Sequence, residues 1–278
     1  QVEISVQGLV PMDASLAWMY EIYLAYALAG LLQKMMQRVR PRELTPGATD
    51  AVLQRMLPRL YDCFARATAK DAVFQEMVAE FGRVPMHDRP LPQVGIIGDV
   101  FVRDNEIMNQ DLVREIERAG GEAVGLPFVE ALDLIAEQHL LVQWDRGSYW
   151  SFLQDKMTFG ALQLVRGRFA AMARPVLGDP APAWQADTAR IRAQYGLTAR
   201  HIGEATENLL KIYYLHERCA DLRFIVNVNP IFCCPGLISE ALYRAVEQDL
   251  GIPIVSITYD GTRADKRRIL KPYLHYLR

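Results

Sequence analysis

Over the first ninety positions, apolar residues recur at intervals of three and four, as expected of helices that bury one face. ASLAWMYEIYLAYALAGLLQ (14–33) opens the series; Asp13 or Ser15 stands where an N-cap belongs, and the basic run KMMQRVR precedes Pro41. This stretch approaches the length of a membrane span, but Glu21 lies inside it and small residues dilute it. A helix buried between two lobes is the expectation, and no membrane span. PRELTPGATD (41–50) reads as a turn-rich joint, and residues 51–81 return to helical spacing interrupted by Pro58. RVPMHDRPLPQ (83–93), with three prolines, reads as an extended linker.

The period changes at Val94. VGIIGDVFV is a short apolar run with β-branched residues, the pattern of a strand buried on both faces of a parallel sheet. NQDLVREIERAGG is an amphipathic helix closed by glycines, and EAVGLPF a second strand. From Glu130 to about Arg218 the spacing is helical again, broken near PVLGDPAPAW (175–184). A second β-α-β unit follows: LRFIVNVNP as strand, PGLISEALYRAVEQDLG as helix and IPIVSITYDG as strand, with RADKRRILKPYLHYL as a final helix. The fold expected is therefore α/β: a small Rossmann-like parallel sheet built from two β-α-β units. Residues 1–90 form a helical N-terminal region, and residues 91–278 form the lobe, with a helical insertion at about 130–218.

Ligands of such sheets gather at the carboxyl ends of the strands. Three loops belong there: GDVFVRDNE (98–106), NPIFCCPG (229–236) and TYDGTR (258–263). They carry Asp99, Arg103, Asn229 and Asp260, polar groups able to orient a ligand or to be simply solvated, and the adjacent Cys233 and Cys234. Pro235 suits the first turn of a helix. A cysteine just before it would face the exposed N–H groups and positive end of that helix, which lowers a thiol pKa and favours the thiolate that binds soft metals. The pair is either a small apolar detail at a tight turn or a ligand site, and residue spacing leaves both open. Adjacent side chains diverge, so one of the two would face the edge. Cys63 and Cys219 read as packing residues, and the five histidines have no metal-ligand spacing.

Composition narrows the classes. The chain has 278 residues, 51% hydrophobic and 23% charged, with a net charge of −2, which marks no nucleic-acid surface. Four cysteines in this length make no disulfide scaffold and point to a reducing, cytoplasmic setting. Phosphate-binding glycine motifs and a nucleophile elbow are absent from the sequence. The chain begins at Gln1, and its first residues lack the layout of a signal peptide, so a piece of a longer polypeptide is expected.

VNPIFCCPGLISEAL, then GIPIVSITYDGT and the terminal KPYLHYL, resemble the C-terminal region of 2-hydroxyacyl-CoA dehydratase components, and most of all the long CoA-substrate-specific enzyme activases. RPRELTPGATD and VGIIGDVFVRDNEIMNQDLVREIERAGGEAVGLP resemble the same family's middle region, so the resemblance spans the chain from about Pro41 onward. It implies Rossmann-like lobes around an iron–sulfur cluster, 4Fe–4S or double-cubane, that receives a low-potential electron from an actin/Hsp70-type ATPase. It also implies enzymatic action on a CoA thioester or small molecule in anaerobic metabolism, with a second dehydratase subunit or a homodimer as further partner. Aligned on the closing Pro-Gly of the family's C-x-P-G loop, Cys233 takes the cluster-ligand position and Cys234 the variable one. The family's C-x-P-x-K motif and its ATPase segments have no counterpart here. The remaining cluster ligands would come from outside this chain, which alone is expected to be inactive; the alternative is a non-catalytic lobe that docks the ATPase or dehydratase subunit.

Overall fold

The computed structural model describes residues 16–277 apart from 180–183, 185, 199, 200, 202, 263 and 276. The capping positions Asp13 and Ser15 lie outside the described residues. In chain order the helices are α1 (Leu16–Val39), α2 (Ala48–Ala65), α3 (Asp71–Gly82), α4 (Val100–Arg103), α5 (Leu112–Arg118), α6 (Phe128–Asp145), α7 (Tyr149–Met172), α8 (Arg174–Leu177), α9 (Thr188–Gln194), α10 (Glu204–Arg218), α11 (Cys234–Leu250) and α12 (Lys271–His275). The strands are β1 (Gln93–Gly98), β2 (Glu122–Gly125), β3 (Leu222–Pro230) and β4 (Ile254–Tyr259). All four strands run parallel in the order β2-β1-β3-β4. The architecture is α/β and Rossmann-like, as the two β-α-β units predict.

Helices cover both faces of the sheet, one face almost wholly apolar and the other apolar except for Asn227 and Asn229 of β3 and Ser256 and Thr258 of β4. Val94, Ile96, Phe224, Val226 and Val228 face α5 and the C-terminal helical turns, in one core with Leu112, Ile116, Leu270 and Leu274. Ile97 and Ile225 face the other way, toward Leu209, Ile212, Tyr243 and Val246 of α10 and α11. A third core joins α1, α2 and α3 to the end of the insertion through Phe169, Ala173 and Val176. The N-terminal helices thus share a core with α7 and α8.

Some boundaries differ from the sequence reading. β1 ends at Gly98, whose φ of +107° suits glycine and whose added Cβ would lie 2.1 Å from the Val228 carbonyl oxygen. The chain turns there, so VFVR is a helical turn rather than more strand, with the Asp99 carboxylate accepting the Val102 N–H at 2.9 Å. Pro58 lies inside α2 without ending it. Among the described residues the final helix is shorter than expected: Lys266–Leu270 is a 3-10 turn, and Lys271–His275 is α-helical. No helix among the described residues is long and apolar enough to cross a membrane.

Candidate functional site

The strand order reverses between β1 and β3: the chain leaves β1 toward β2 on one side, and β3 and β4 follow on the other. In open parallel sheets the crevice beyond such a switch point is where ligands bind. Here it lies between the loop after β1, with Asp99 and Arg103, and the loop after β3, with Cys233. α10 closes it from one face.

Cys233 is the N-cap of α11, and its Sγ accepts the Gly236 N–H at 3.4 Å. Cys233 is half-buried and Cys234 exposed, so the two residues are unequal. The expectation of a lowered thiol pKa does not hold. Burial pushes the Cys233 thiol up; the Gly236 N–H opposes this, while the Glu204 and Asp99 carboxylates and Cys234 add to it. The helix end favours the thiolate, but desolvation and the facing carboxylates outweigh it.

Behind the thiol lies a charge cluster contributed mostly by α10, which sequence reading treated only as part of the insertion. Lys211 and Glu207 form a buried ion pair at 2.5 Å. Burial lowers the Lys211 pKa, and the nearby Arg103 lowers it further, against Glu207 and Glu204. The Glu204 carboxyl is raised, first by burial and then by Asp99. Arg103 is buried, and its Nε and Nη2 both donate to the Asp104 carboxylate at 2.9 Å, while its Nη1 has no hydrogen-bond partner. Asp99, Arg103, Cys233, Glu204, Glu207 and Lys211 thus act on one another's charge.

A layer of buried asparagines lies on the α10/α11 side of the sheet. Asn208 Oδ1 accepts the Gly98 N–H at 3.3 Å, and Asn227 donates to Ser256 Oγ at 3.3 Å. Asn229 sits under the first turn of α11, where a Cβ on Gly236 would come within 2.5 Å of its Nδ2. Both amide atoms of Asn229, Nδ2 of Asn208 and Oδ1 of Asn227 have no partner. Buried amides normally find one, so four such atoms in one layer mark a place suited to a polar guest or ordered water.

Asp260 stays apart. It accepts from Thr262 N–H at 3.0 Å, Thr262 Oγ1 at 2.7 Å and Lys266 Nζ at 2.7 Å, which together hold its carboxyl well below the usual range. It staples its own loop rather than facing Cys233. That loop is tied to the loop after β1 through Gln110, which bonds Ala264 O and Lys266 N–H at 3.0 Å each. The three carboxyl-edge loops do lie at one edge, as expected.

An apolar rim surrounds the edge: Phe101, Ile107, Phe232, Leu237 and Ile238 are all exposed. Phe232, next to Cys233, has φ +65°, an uncommon backbone conformation for a bulky residue.

As a cluster site the donor set is incomplete. Cys63 is buried in α2, and Cys219 caps the far end of α10, its thiol pushed up to about 11 by burial. Among the described residues no group of three or more His, Cys, Asp or Glu is arranged to hold a metal ion. The residues present fit one thiolate ligand and do not fit a complete iron–sulfur site. Comparison with protein-family models, with curated proteins and with solved structures finds no match to this chain.

Proposed function

We propose that this chain is one lobe of an ATP-dependent, low-potential reductase or dehydratase-type system, and that Cys233 is the single thiolate it contributes to an iron–sulfur centre completed by groups outside the chain. The observation that carries this reading is the position of Cys233: half-buried, at the N-cap of a 17-residue helix, beside the β1/β3 switch point and within an exposed apolar rim. The motifs of residues 229–236 and 94–127 supply the link to the dehydratase and activase family. Asp99, Glu204 and the Lys211–Glu207 pair would set the charge around the thiol, and the rim would meet the surface that brings the other ligands. Cys234, exposed and one position on, is the neighbouring thiol. The ATPase of the actin/Hsp70 type is the proposed electron source, and a CoA thioester or another small molecule the acceptor.

A second reading is a metal-free lobe that binds a small polar molecule. It is favoured by the four unpartnered amide atoms of Asn208, Asn227 and Asn229. One experiment separates the two. The native assembly is isolated anaerobically on a tagged copy of this chain, and iron, acid-labile sulfide and visible absorbance are measured. The first reading expects brown protein that loses iron on Cys233→Ala and keeps it on Cys63→Ala. Iron-free, colourless material sinks it, and a small molecule recovered from such material, and lost on Asn229→Leu, supports the second.

A further inference from the structure

Helix α7 has two apolar faces, and only one is used. One side packs on the body: Phe169 is in the core, the Tyr23 hydroxyl donates to Leu162 O at 3.1 Å, and Arg166 donates to Val129 O at 3.1 Å. The other side carries Trp150, Leu153, Met157 and Leu164, at 71%, 46%, 68% and 78% exposure. At about 100° per residue these four, with Gly160 and Gly167, fall in one stripe roughly 100° wide. A surface helix ordinarily turns polar groups outward. Here the outward stripe is free of charge over most of its length, with Arg168 at its border paired to Asp71.

The N-terminal end of the stripe is extended by Tyr149 and Trp144, whose rings meet edge-on at a centroid distance of 5.0 Å and are 58% and 55% exposed. On a scale of roughly 150–250 Å² for a whole large side chain, the exposed parts of these six residues come to roughly 550–950 Å². The largest apolar patch on a typical monomer is about 300–600 Å². About 800 Å² per partner is what a standard stable interface buries.

We propose that this stripe is covered by a second copy of the chain, the two α7 helices crossing antiparallel about a two-fold axis at Gly160. Such an interface must be self-complementary, the same patch meeting itself. The stripe is built that way. An antiparallel pairing centred on Gly160 sets Leu153 opposite Gly167 and brings Met157 to Leu164, so large side chains meet small or matching ones. Gly160 and Gly167 have nothing within 4 Å of an added Cβ, which leaves room for a facing backbone. A lipid surface fits less well, because a membrane-lying helix turns a basic polar face to water, and the other face of α7 is packed against the body. This inference stands apart from the proposed function and reads out differently.

Sedimentation velocity on the chain from about 1 to 100 μM tests it. The expected result is a dimer that Met157→Glu and Leu164→Glu each weaken at least ~100-fold, as burying an unpaired carboxylate requires. Both sites are exposed, so circular dichroism should be unchanged. In a Cys234→Ser background, Gly160→Cys should give a disulfide-linked dimer on mild oxidation, and Gln163→Cys, off the stripe, should not. A monomer at 100 μM, a dimer indifferent to both glutamates, or crosslinking at 163 in place of 160 would each overturn the proposal, as would binding of Met157-dependent monomer to phosphatidylcholine vesicles.

Discussion

Cys233 shows how a side chain's setting can reverse what its position in a helix promises. At the first turn of α11 the helix dipole favours the thiolate by a fraction of a kcal/mol to about 1 kcal/mol. Partial burial and the charges of Glu204 and Asp99 act the other way and prevail. Alkylation of Cys233 by iodoacetamide, followed by mass spectrometry across pH, should therefore reach half its limiting rate above the ordinary thiol value of about 8.5. Glu204→Gln should move the midpoint down by removing a facing negative charge. A midpoint below that value in the wild type would show that the helix end wins after all. Asn229 makes a related point about stability. Its unpartnered amide carries a desolvation cost of about 1–3 kcal/mol, so Asn229→Leu should raise the thermal midpoint of the ligand-free protein. A lowered midpoint would mean that the amide has a partner. Gly236→Ala should do the opposite, since its Cβ would reach to 2.5 Å from the Asn229 amide; overpacking of this kind costs roughly 1–3 kcal/mol.

Among the elements, strands and helices of the α/β lobe were largely legible because their patterns are local. LRFIVNVNP is β3 to the residue, and the helix drawn from PGLISEALYRAVEQDLG is α11, stopped by Gly251 in the left-handed conformation. The end of β1 was not, because VFV continues the apolar run and only the φ of Gly98 turns the chain. Half of the candidate site was legible as well: Asp99, Arg103, Asn229 and Cys233 follow from the rule that loops at the carboxyl edge hold ligands. Glu204, Glu207, Asn208 and Lys211 were not, since α10 precedes β3 in sequence and reads as one more amphipathic helix. Its buried residues include Thr206, Glu207, Asn208 and Lys211 beside Leu209 and Leu210, and a Glu-x-x-x-Lys spacing looks the same on a solvated helix as on a buried one. Burial leaves a measurable trace. Lys211 has a folded-state pKa below its unfolded value of about 10.4. Between those two values the unfolded chain binds more protons, so stability rises with pH there. Chemical denaturation of the wild type over that window should show this upward slope, and Lys211→Met should flatten it. An unchanged slope in the variant would assign the effect to another group.

On the scale of the whole molecule, the helical N-terminal region is held to the lobe by charge as well as by apolar contact. The 3-10 turn Arg40–Arg42 follows α1 and carries two buried guanidinium groups. Arg40 Nε and Nη2 donate to Glu117 of α5 at 2.7 and 2.9 Å, and Arg42 Nη2 donates to Glu122 of β2 at 2.9 Å. Arg114 reaches Asp50 of α2 at 2.8 Å. The sequence offers KMMQRVR as an ordinary basic helix end and Arg42 as part of a turn-rich joint; the acidic partners of Arg40 and Arg42 stand 77 and 80 residues downstream, a separation no local pattern reveals. Removing one member of a buried pair strands the other charge, at about 3–5 kcal/mol, whereas replacing both with apolar groups of similar volume is near neutral. Arg42→Ala should therefore lower the stability measured by urea unfolding by that amount, and Arg42→Met combined with Glu122→Met should restore most of it. If the pair serves only to orient the two regions, the double variant will regain stability while the longer contacts around it, Arg38 to Glu122 and Arg40 to Asp50, both at 3.6 Å, add little. A loss under about 1 kcal/mol for Arg42→Ala would instead mean that water reaches the turn and that apolar packing alone joins the helices to the sheet.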